Sequence, residues 1–392
     1  MRRYMALDSL RGLAALSVFF AHVHSVFWQH HITADLTPIF LFWAGGEAVI
    51  LFFVLSGFVL TKSTQVETPL TFFQFLTGRI LRIGVPNLVM LGGCTLAVMA
   101  SETIVLPRPS GFQWPQKIDF QLLASHALMV SDFNNMILND VVWTLSHEMR
   151  FALLFPAFIF AISKIQPSHS MGLFAGLSMV AAMYVTSMGD PSSGFKTAYV
   201  YTLHYLLMFA MGGVLLLNFE KLSHRFSRLS PTSRWLWIAA ALMVYCYARL
   251  IYLVPQKLGW SHLAVFNAFV ADALVAGAAC TLILATLVDP SLKSWLEMKP
   301  LQYLGKVSFS LYLVHIPVLK ICFYAMPEAS KLTVVIVAIP SVALTTHAFY
   351  KAIESPAQKL SRSMVQRWAR NSPRTQHAQS HQLDDAKVVK FN

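Results

Sequence analysis

The sequence predicts an all-α integral membrane protein with about ten transmembrane helices, and three observations lead to this fold class. Hydrophobic residues make up 56% of the 392 residues and charged residues only 12%, whereas a soluble domain is about 25% charged. Ten apolar stretches come close to the length of about 20 residues that a bilayer-spanning helix needs. Lys and Arg cluster between alternate stretches. The net charge of +12 therefore indicates membrane topology rather than nucleic-acid binding.

The predicted spans follow one another along most of the chain. They cover residues 10–28, 38–60, 83–99, 141–162, 171–188, 198–219, 235–254, 263–288, 301–323 and 332–350. The first stretch is too long for a signal peptide and contains Arg11 and His22, so we expect a retained helix. Residues 1–356 then form the transmembrane domain. The polar, basic residues 357–392 form a cytoplasmic tail, helical as far as Ala369 and otherwise largely disordered.

The distribution of positive charge predicts that the N-terminus and the C-terminus are both cytoplasmic. With ten spans and the N-terminus inside, 20 of the 30 Lys and Arg residues fall on the cytoplasmic side, five fall outside and five lie within spans. An excess of this sign in short cytoplasmic loops is the usual determinant of orientation.

Ionisable residues inside spans are costly and are therefore functional candidates. Arg11 and His22 are eleven residues apart on the first helix, which places them on one face and about 16 Å apart along the axis. Each residue has one open alternative to a functional role. Arg11 could extend its side chain to the lipid headgroups. His22 could make only an interhelical hydrogen bond.

Five titratable residues on five spans have similar predicted depths, about 9–14 Å from the outer surface. They are His22, Glu47, Glu148, Asp272 and His315. This agreement predicts a single polar cavity that opens to the outside. We expect His22 and Glu148 to form a coupled pair in it, with Glu148 orienting the imidazole ring.

Arg79 and Arg82 form a second candidate site on the predicted cytoplasmic side. Their i, i+3 spacing places the two guanidinium groups side by side on a helix, where they could bind phosphate groups bidentately. The alternative is an ordinary basic flank that contacts lipid headgroups.

Four segments together resemble the membrane acyltransferase-3 family, the bacterial integral-membrane O-acyltransferases. They are residues 7–15 with His22, residues 51–58 with Arg79, Arg82 and Pro86, residues 143–151, and residues 304–317 with residues 354–356. The resemblance runs from Leu7 to about Pro356. It departs from the common family pattern at Ala152, where a tyrosine is usual, and this leaves the acyl size and the acceptor open.

The resemblance implies transfer of an acyl group, most often acetyl, from cytoplasmic acyl-CoA to a hydroxyl of an extracytoplasmic or lipid-linked glycan. It also implies a location in the bacterial inner membrane. Arg11 and His22 match the arginine and histidine that the family needs for activity. Arg79 and Arg82 match the pair associated with CoA, and Glu148 matches the acid of the fourth-helix motif.

A mechanism can be written for these residues. His22 acts as general base on the acceptor hydroxyl, and Arg11 holds an anionic group or the pantetheine arm of acyl-CoA. Tyr312 and His315 donate hydrogen bonds to the developing oxyanion. Further candidates for the lining of the substrate cavity are Glu47, Trp143 and Asp272.

Two other classes of function stay open on the sequence alone. One is a proton-coupled transporter of a sugar or small molecule, with Glu47, Glu148 and Asp272 as the proton relay. The other is a structural partner in a polysaccharide export complex. We expect no metal, because no His or Cys spacing demands one. Membrane lipids are expected partners, and the sequence leaves open a homodimer or an association with polysaccharide-assembly proteins.

Overall fold

The described part of the chain is entirely helical. The structure is a computed structural model that describes residues 4–27, 37–65, 71–101, 114, 118–189 and 196–370. The α-helices are α1 (Met5–Phe27), α2 (Gly45–Ser63), α3 (Phe72–Arg79), α4 (Val85–Ser101), α5 (Phe120–Leu128), α6 (Val142–Lys164), α7 (Pro167–Met188), α8 (Tyr199–Leu217), α9 (Phe219–Ser227), α10 (Pro231–Tyr247), α11 (Leu250–Lys257), α12 (Ser261–Val288), α13 (Pro290–Leu296), α14 (Lys299–Ala325), α15 (Lys331–Phe349) and α16 (Ser355–Arg370). No strand occurs within these ranges.

Ten helical segments of the described chain are long and apolar enough to cross a membrane. This number confirms the prediction, although some boundaries differ. The second predicted span begins in a separate 3₁₀ helix, Pro38–Trp43, and α2 starts only at Gly45. The third begins at Phe72 rather than at residue 83, so Arg79 lies inside a continuous helical segment. Residues 371–392 of the predicted tail lie outside the described residues.

Two of the long segments contain a π-helical turn, and a proline explains each one. The π-helical turn Ile80–Gly84 joins α3 to α4 and is followed by Pro86. The turn Tyr350–Glu354 joins α15 to α16 and is followed by Pro356. Proline has no N–H to offer the carbonyl four residues earlier, and in both cases that carbonyl lies within the π-helical turn. Wide turns of this kind often occur at functional sites.

Glycines allow two pairs of helices to approach very closely. Gly12 of α1 and Gly305 of α14 face each other, and a Cβ on either would overlap the backbone of the opposite helix. Gly57 of α2 and Gly212 of α8 make the same kind of contact. Small residues permit such packing where lipid removes the usual hydrophobic driving force. Helix α14 is the most buried span, with 83% of its apolar window inside the protein.

Replacing Gly305 with alanine is expected to destabilise the protein, because the new Cβ would overlap the backbone of Asp8. Close packing leaves no low-cost adjustment, so we expect a loss of about 1–3 kcal/mol. Thermal unfolding in detergent would measure it. Gly172→Ala is the matched control, since a Cβ there meets no atom within 4 Å. Equal melting temperatures for the two variants would contradict the close contact.

Candidate functional site

The structure brings His22 of α1 against His315 of α14. The Nδ1 atom of His22 lies 3.3 Å from Nε2 of His315, and the ring centroids are 5.1 Å apart. His315 is fully buried, whereas His22 is partly exposed. The contact joins residues 293 positions apart in the chain. It lies on the helix pair that Gly12 and Gly305 hold together.

The carbonyl groups next to the two rings fix their tautomers. Nδ1 of His315 lies 3.0 Å from the carbonyl oxygen of Leu311, and Nδ1 of His22 lies 2.9 Å from that of Val18. A ring nitrogen facing a carbonyl oxygen must carry the proton. Nε2 of neutral His315 is then an acceptor for the Nδ1–H of His22. Nε2 of His22 consequently keeps its lone pair, as a general base requires.

This arrangement corrects the predicted oxyanion site. His315 in this tautomer presents a lone pair at Nε2 rather than a proton. The Tyr312 hydroxyl is buried and lies 2.9 Å from Oγ1 of Thr144 and 3.4 Å from the carbonyl oxygen of Val141. Both side chains are therefore engaged within the protein. The sequence did not predict the hydrogen-bond partners of Tyr312 and His315.

Glu148 pairs with Arg79, and this corrects the expected pairing with His22. One carboxylate oxygen accepts a hydrogen bond from Nη2 of Arg79 at 3.1 Å, and the other accepts one from Oγ of Ser56 at 3.0 Å. Arg79 lies seven residues into its span rather than in a flanking loop, about 10 Å along the helix. Its long side chain can therefore meet a carboxylate inside the bundle.

Arg11 and Arg82 lie together at one end of the bundle, which we call the Arg82 end. Arg82 is an exposed residue, and its guanidinium interacts electrostatically with Arg11, Arg79, Glu148 and Glu354. Nη1 of Arg11 contacts a carboxylate oxygen of Asp8 at 3.5 Å. The predicted arginine cluster is therefore present, but Arg79 already has a carboxylate partner. Arg11 has one as well, at the longer distance of 3.5 Å, so Arg82 is the most available cation of the three.

Buried Glu354 stabilises the π-helical turn that faces this cluster. Its Oε2 accepts hydrogen bonds from the backbone N–H of Ser310 at 3.0 Å and from the Ser310 hydroxyl. Its Oε1 accepts one from Nε2 of Gln358 at 2.7 Å. Glu354 therefore links α14, α16 and the turn between α15 and α16, beside Arg82.

Further charged residues gather near His22, at the opposite end of α1 from Arg11. Glu47 of α2 forms an ion pair with Arg249, whose guanidinium packs over Gly46. Nε2 of His204 lies 3.3 Å from a carboxylate oxygen of Asp272. Lys196 interacts electrostatically with Glu47, Asp272 and Arg249. Glu47 and Asp272 therefore both interact with Lys196 and Arg249, and their part in a single outer cavity with His22 stays a prediction.

A fully buried lysine fastens the segment before α6 to α14. Nζ of Lys320 donates to the carbonyl oxygens of Met136 at 3.0 Å and Ile137 at 3.3 Å, and lies 3.5 Å from a carboxylate oxygen of Asp140. Burial raises the pKa of Asp140, and the Lys320 ammonium opposes that rise. Breaking such a buried ion pair is costly. Lys320 therefore holds this segment against the helix that carries His315.

Asn139 stabilises the same junction at a carbonyl that proline leaves free. Pro317 lies inside α14 and cannot donate to the carbonyl of Leu313. Nδ2 of Asn139 donates to that carbonyl at 2.9 Å. The helix can therefore tolerate Pro317 two residues after His315.

The motif residues around Glu148 hold loops in place. Arg150 donates to the carbonyl oxygens of Val130 at 3.0 Å and Ser131 at 2.7 Å, and to the Thr202 hydroxyl at 2.8 Å. Nε2 of His147 lies 2.8 Å from the carbonyl oxygen of Lys196. These bonds hold two segments in place, the one that precedes α6 and the one that precedes α8. Lys196 of the second segment lies over the Trp143 ring.

Four functional candidates were missed from the sequence. Lys320 and His204 are ionisable residues inside apolar spans, so the signal that identified His22 would also have found them. Arg249 also lies within a predicted span, whereas Lys196 was counted only as a loop charge, and only the folded chain shows its position. The described residues contain no group of three His, Cys, Asp or Glu side chains suited to a metal ion.

Comparison with known proteins defines the class of protein. A family model described as an acyltransferase domain matches residues 4–349. The chain therefore belongs to this acyltransferase family, as its four motifs predicted. Together with the ten candidate spans, this makes it a membrane-bound acyltransferase.

Individual relatives are distant. The chain is 27% identical to Acyltransferase MdmB of Streptomyces mycarofaciens over 81% of this chain and 79% of that protein. It is 23% identical to O-acetyltransferase OatA of Staphylococcus aureus over 91% of this chain and 58% of that protein. It is 24% identical to Peptidoglycan O-acetyltransferase OatA of Listeria monocytogenes over 81% and 50%. The chain thus spans 58% of the first OatA protein and 50% of the second. No solved structure matches.

Proposed function

We propose that the protein transfers an acetyl group from acetyl-CoA, bound at the Arg82 end, to a hydroxyl of an extracytoplasmic or lipid-linked glycan near His22. The observation that carries this proposal is the partly exposed His22, with a lone pair at Nε2, on the same helix as Arg11. The names of the OatA relatives support O-acetylation of a glycan. The bias of positive charge supports a cytoplasmic Arg82 end in a bacterial inner membrane.

The proposed reaction needs one base and no metal. Nε2 of His22 takes the proton of the acceptor hydroxyl while its oxygen attacks the thioester carbonyl carbon. The tetrahedral intermediate then collapses, and the C–S bond breaks as the new ester forms. The departing CoA sulfur takes the proton from the His22 imidazolium, which regenerates the neutral base.

His315 has a positioning role in this proposal. It accepts the Nδ1–H of His22 and so favours the tautomer whose Nε2 is unprotonated. Glu148 acts at the donor end, where it holds Arg79 close to Arg82 and Arg11.

The pairing of the membrane acids does not favour the transporter alternative. A proton relay through Glu47, Glu148 and Asp272 would need these carboxylates to exchange protons with one another. Instead Glu47 pairs with Arg249, Glu148 with Arg79, and Asp272 with His204. Each of these carboxylates therefore faces a basic side chain rather than another acid.

Arg82→Met is expected to raise KM for acetyl-CoA about tenfold or more, because charge-assisted hydrogen bonds to phosphate are strong. The wild-type KM should also rise with salt. Purified protein in nanodiscs, assayed for acetyl-CoA turnover, would give both values. Arg225→Met removes an exposed arginine on α9 and is the control. An unchanged KM in Arg82→Met would place CoA elsewhere.

Mass spectrometry of surface glycans tests the function as a whole. Glycans from a deletion strain should lack a defined acetyl mass that wild-type cells carry, and plasmid-borne wild-type protein should restore it. Identical glycan masses in the two strains, together with no acetyl-CoA turnover by purified protein, would refute the proposal.

A further inference from the structure

One cluster beside His22 has no role in the mechanism above. Lys196 lies just before α8 and interacts electrostatically with His22. Its Nζ lies 5.0 Å from the centre of the Trp143 ring, over the indole face. Lys196 is exposed, and Trp143 is partly exposed. Thr144, the residue after Trp143, contacts Tyr312, whose ring centroid lies 6.1 Å from that of His315. A cation and an aromatic surface therefore lie on the same side of the bundle as the proposed base, where an acceptor must bind.

The fold holds Lys196 in this position through its backbone. The carbonyl oxygen of Lys196 faces Nε2 of buried His147 at 2.8 Å, and Nδ1 of His147 lies 3.0 Å from the Thr202 hydroxyl. The three N–H donors of the Lys196 ammonium have no hydrogen-bond partner shown among the described residues. A side chain presented in this way is available to a ligand.

Asp272 supplies an acceptor close to these donors. Its side chain is 23% exposed, and one of its oxygens faces Nε2 of His204 at 3.3 Å. Nδ1 of His204 lies 2.7 Å from Oγ of Ser178, so the imidazole is anchored on both sides. Lys196 and Asp272 interact electrostatically with each other. The cluster therefore offers both donors and an acceptor.

The formal charges of this region cancel when its histidines are neutral. Lys196 and Arg249 carry two positive charges, and Glu47 and Asp272 carry two negative charges. A ligand with its own charge would meet as much repulsion as attraction. A polyhydroxylated ligand without charge suits mixed donors and acceptors beside an aromatic ring.

We infer that Lys196, Trp143 and Asp272 form the acceptor subsite and that it binds an uncharged sugar unit. This inference rests on the proposed function and specifies its acceptor. Lys196 and Asp272 would hydrogen-bond to hydroxyl or amide groups of the sugar, and the indole would pack against its C–H face. The hydroxyl to be acylated would then face Nε2 of His22.

Two matched oligosaccharides test the subsite with purified protein in nanodiscs and radiolabelled acetyl-CoA. Chitotetraose is uncharged, and the hyaluronan tetrasaccharide has a similar size but carries glucuronates. We expect acetyl transfer to chitotetraose in preference to the acidic tetrasaccharide. Lys196→Met and Asp272→Asn should each raise KM for chitotetraose about tenfold, with KM for acetyl-CoA unchanged.

Lys164→Met is the control, because Lys164 is an exposed lysine at the end of α6 opposite to Trp143. Three outcomes overturn the subsite: transfer to neither oligosaccharide, preference for the acidic one, or unchanged KM for chitotetraose in both variants. A fall in kcat alone for Lys196→Met would also overturn it and assign Lys196 to oxyanion stabilisation. Absence of acetyl-CoA turnover in the wild type would instead refute the proposed function.

Discussion

Replacing His22 with alanine should reduce acyl transfer by about 10²–10⁴-fold, the usual contribution of a general base. The protein should still fold, because His22 is partly exposed and its partners are a backbone carbonyl and His315. Transfer of radiolabelled acetyl groups at equal membrane expression would measure the loss. His169→Ala, which removes an exposed histidine from α7, is the control. Near-wild-type activity of His22→Ala would exclude His22 as the base.

The same prediction has a pH dependence with a definite sign. The base acts only when neutral, so activity of the wild type should fall as the pH drops and His22 takes a second proton. His315→Phe removes the acceptor of the His22 Nδ1–H. That variant should lose part of its kcat and change its pH profile, because the His22 imidazolium formed in the reaction loses the lone pair of His315 Nε2 that faces its Nδ1–H, while the Val18 carbonyl still fixes the tautomer. A lower kcat with an unchanged profile would mean that His315 only fills space.

Glu148→Gln should cause the second large loss, through Arg79 rather than through His22. The substitution removes the charge that compensates a guanidinium only 15% exposed, and breaking a buried pair costs about 3–5 kcal/mol. We therefore expect weak acetyl-CoA turnover and a lower melting temperature. The two effects can be separated by measuring KM for acetyl-CoA on the folded fraction.

A double-mutant cycle distinguishes the two partners that Glu148 could have. Glu148→Gln combined with Arg79→Met should cost little more than either single change, because the two residues act as one unit. Glu148→Gln combined with His315→Phe should give the product of the two separate losses. The reverse pattern would restore the coupling to the histidine site that the sequence suggested.

The sequence gives the position of each residue along its own helix. That position is sufficient where the question concerns residues of a single helix. Eleven residues place Arg11 and His22 on one face of α1, and this needs only the helical period. Glu47 and Asp272, at similar predicted depth, lie on neighbouring spans and both interact electrostatically with Lys196. Glu148 has the same depth, yet it faces Arg79. Depth says nothing about the direction in which a side chain points.

The sequence by itself therefore determined the membrane class, the ten spans, the acyltransferase motifs and the shared face of Arg11 and His22. These follow from hydrophobicity and the helical period, which are local properties of the chain. Only the tertiary structure decided that His22 meets His315, that Glu148 meets Arg79 and that Lys196 lies near the base. Such pairings depend on the rotation and order of helices that are far apart in sequence. Glycine contacts and the π-helical turns next to proline affect how each helix is rotated about its axis. The effect of either depends on the neighbouring helix against which it packs.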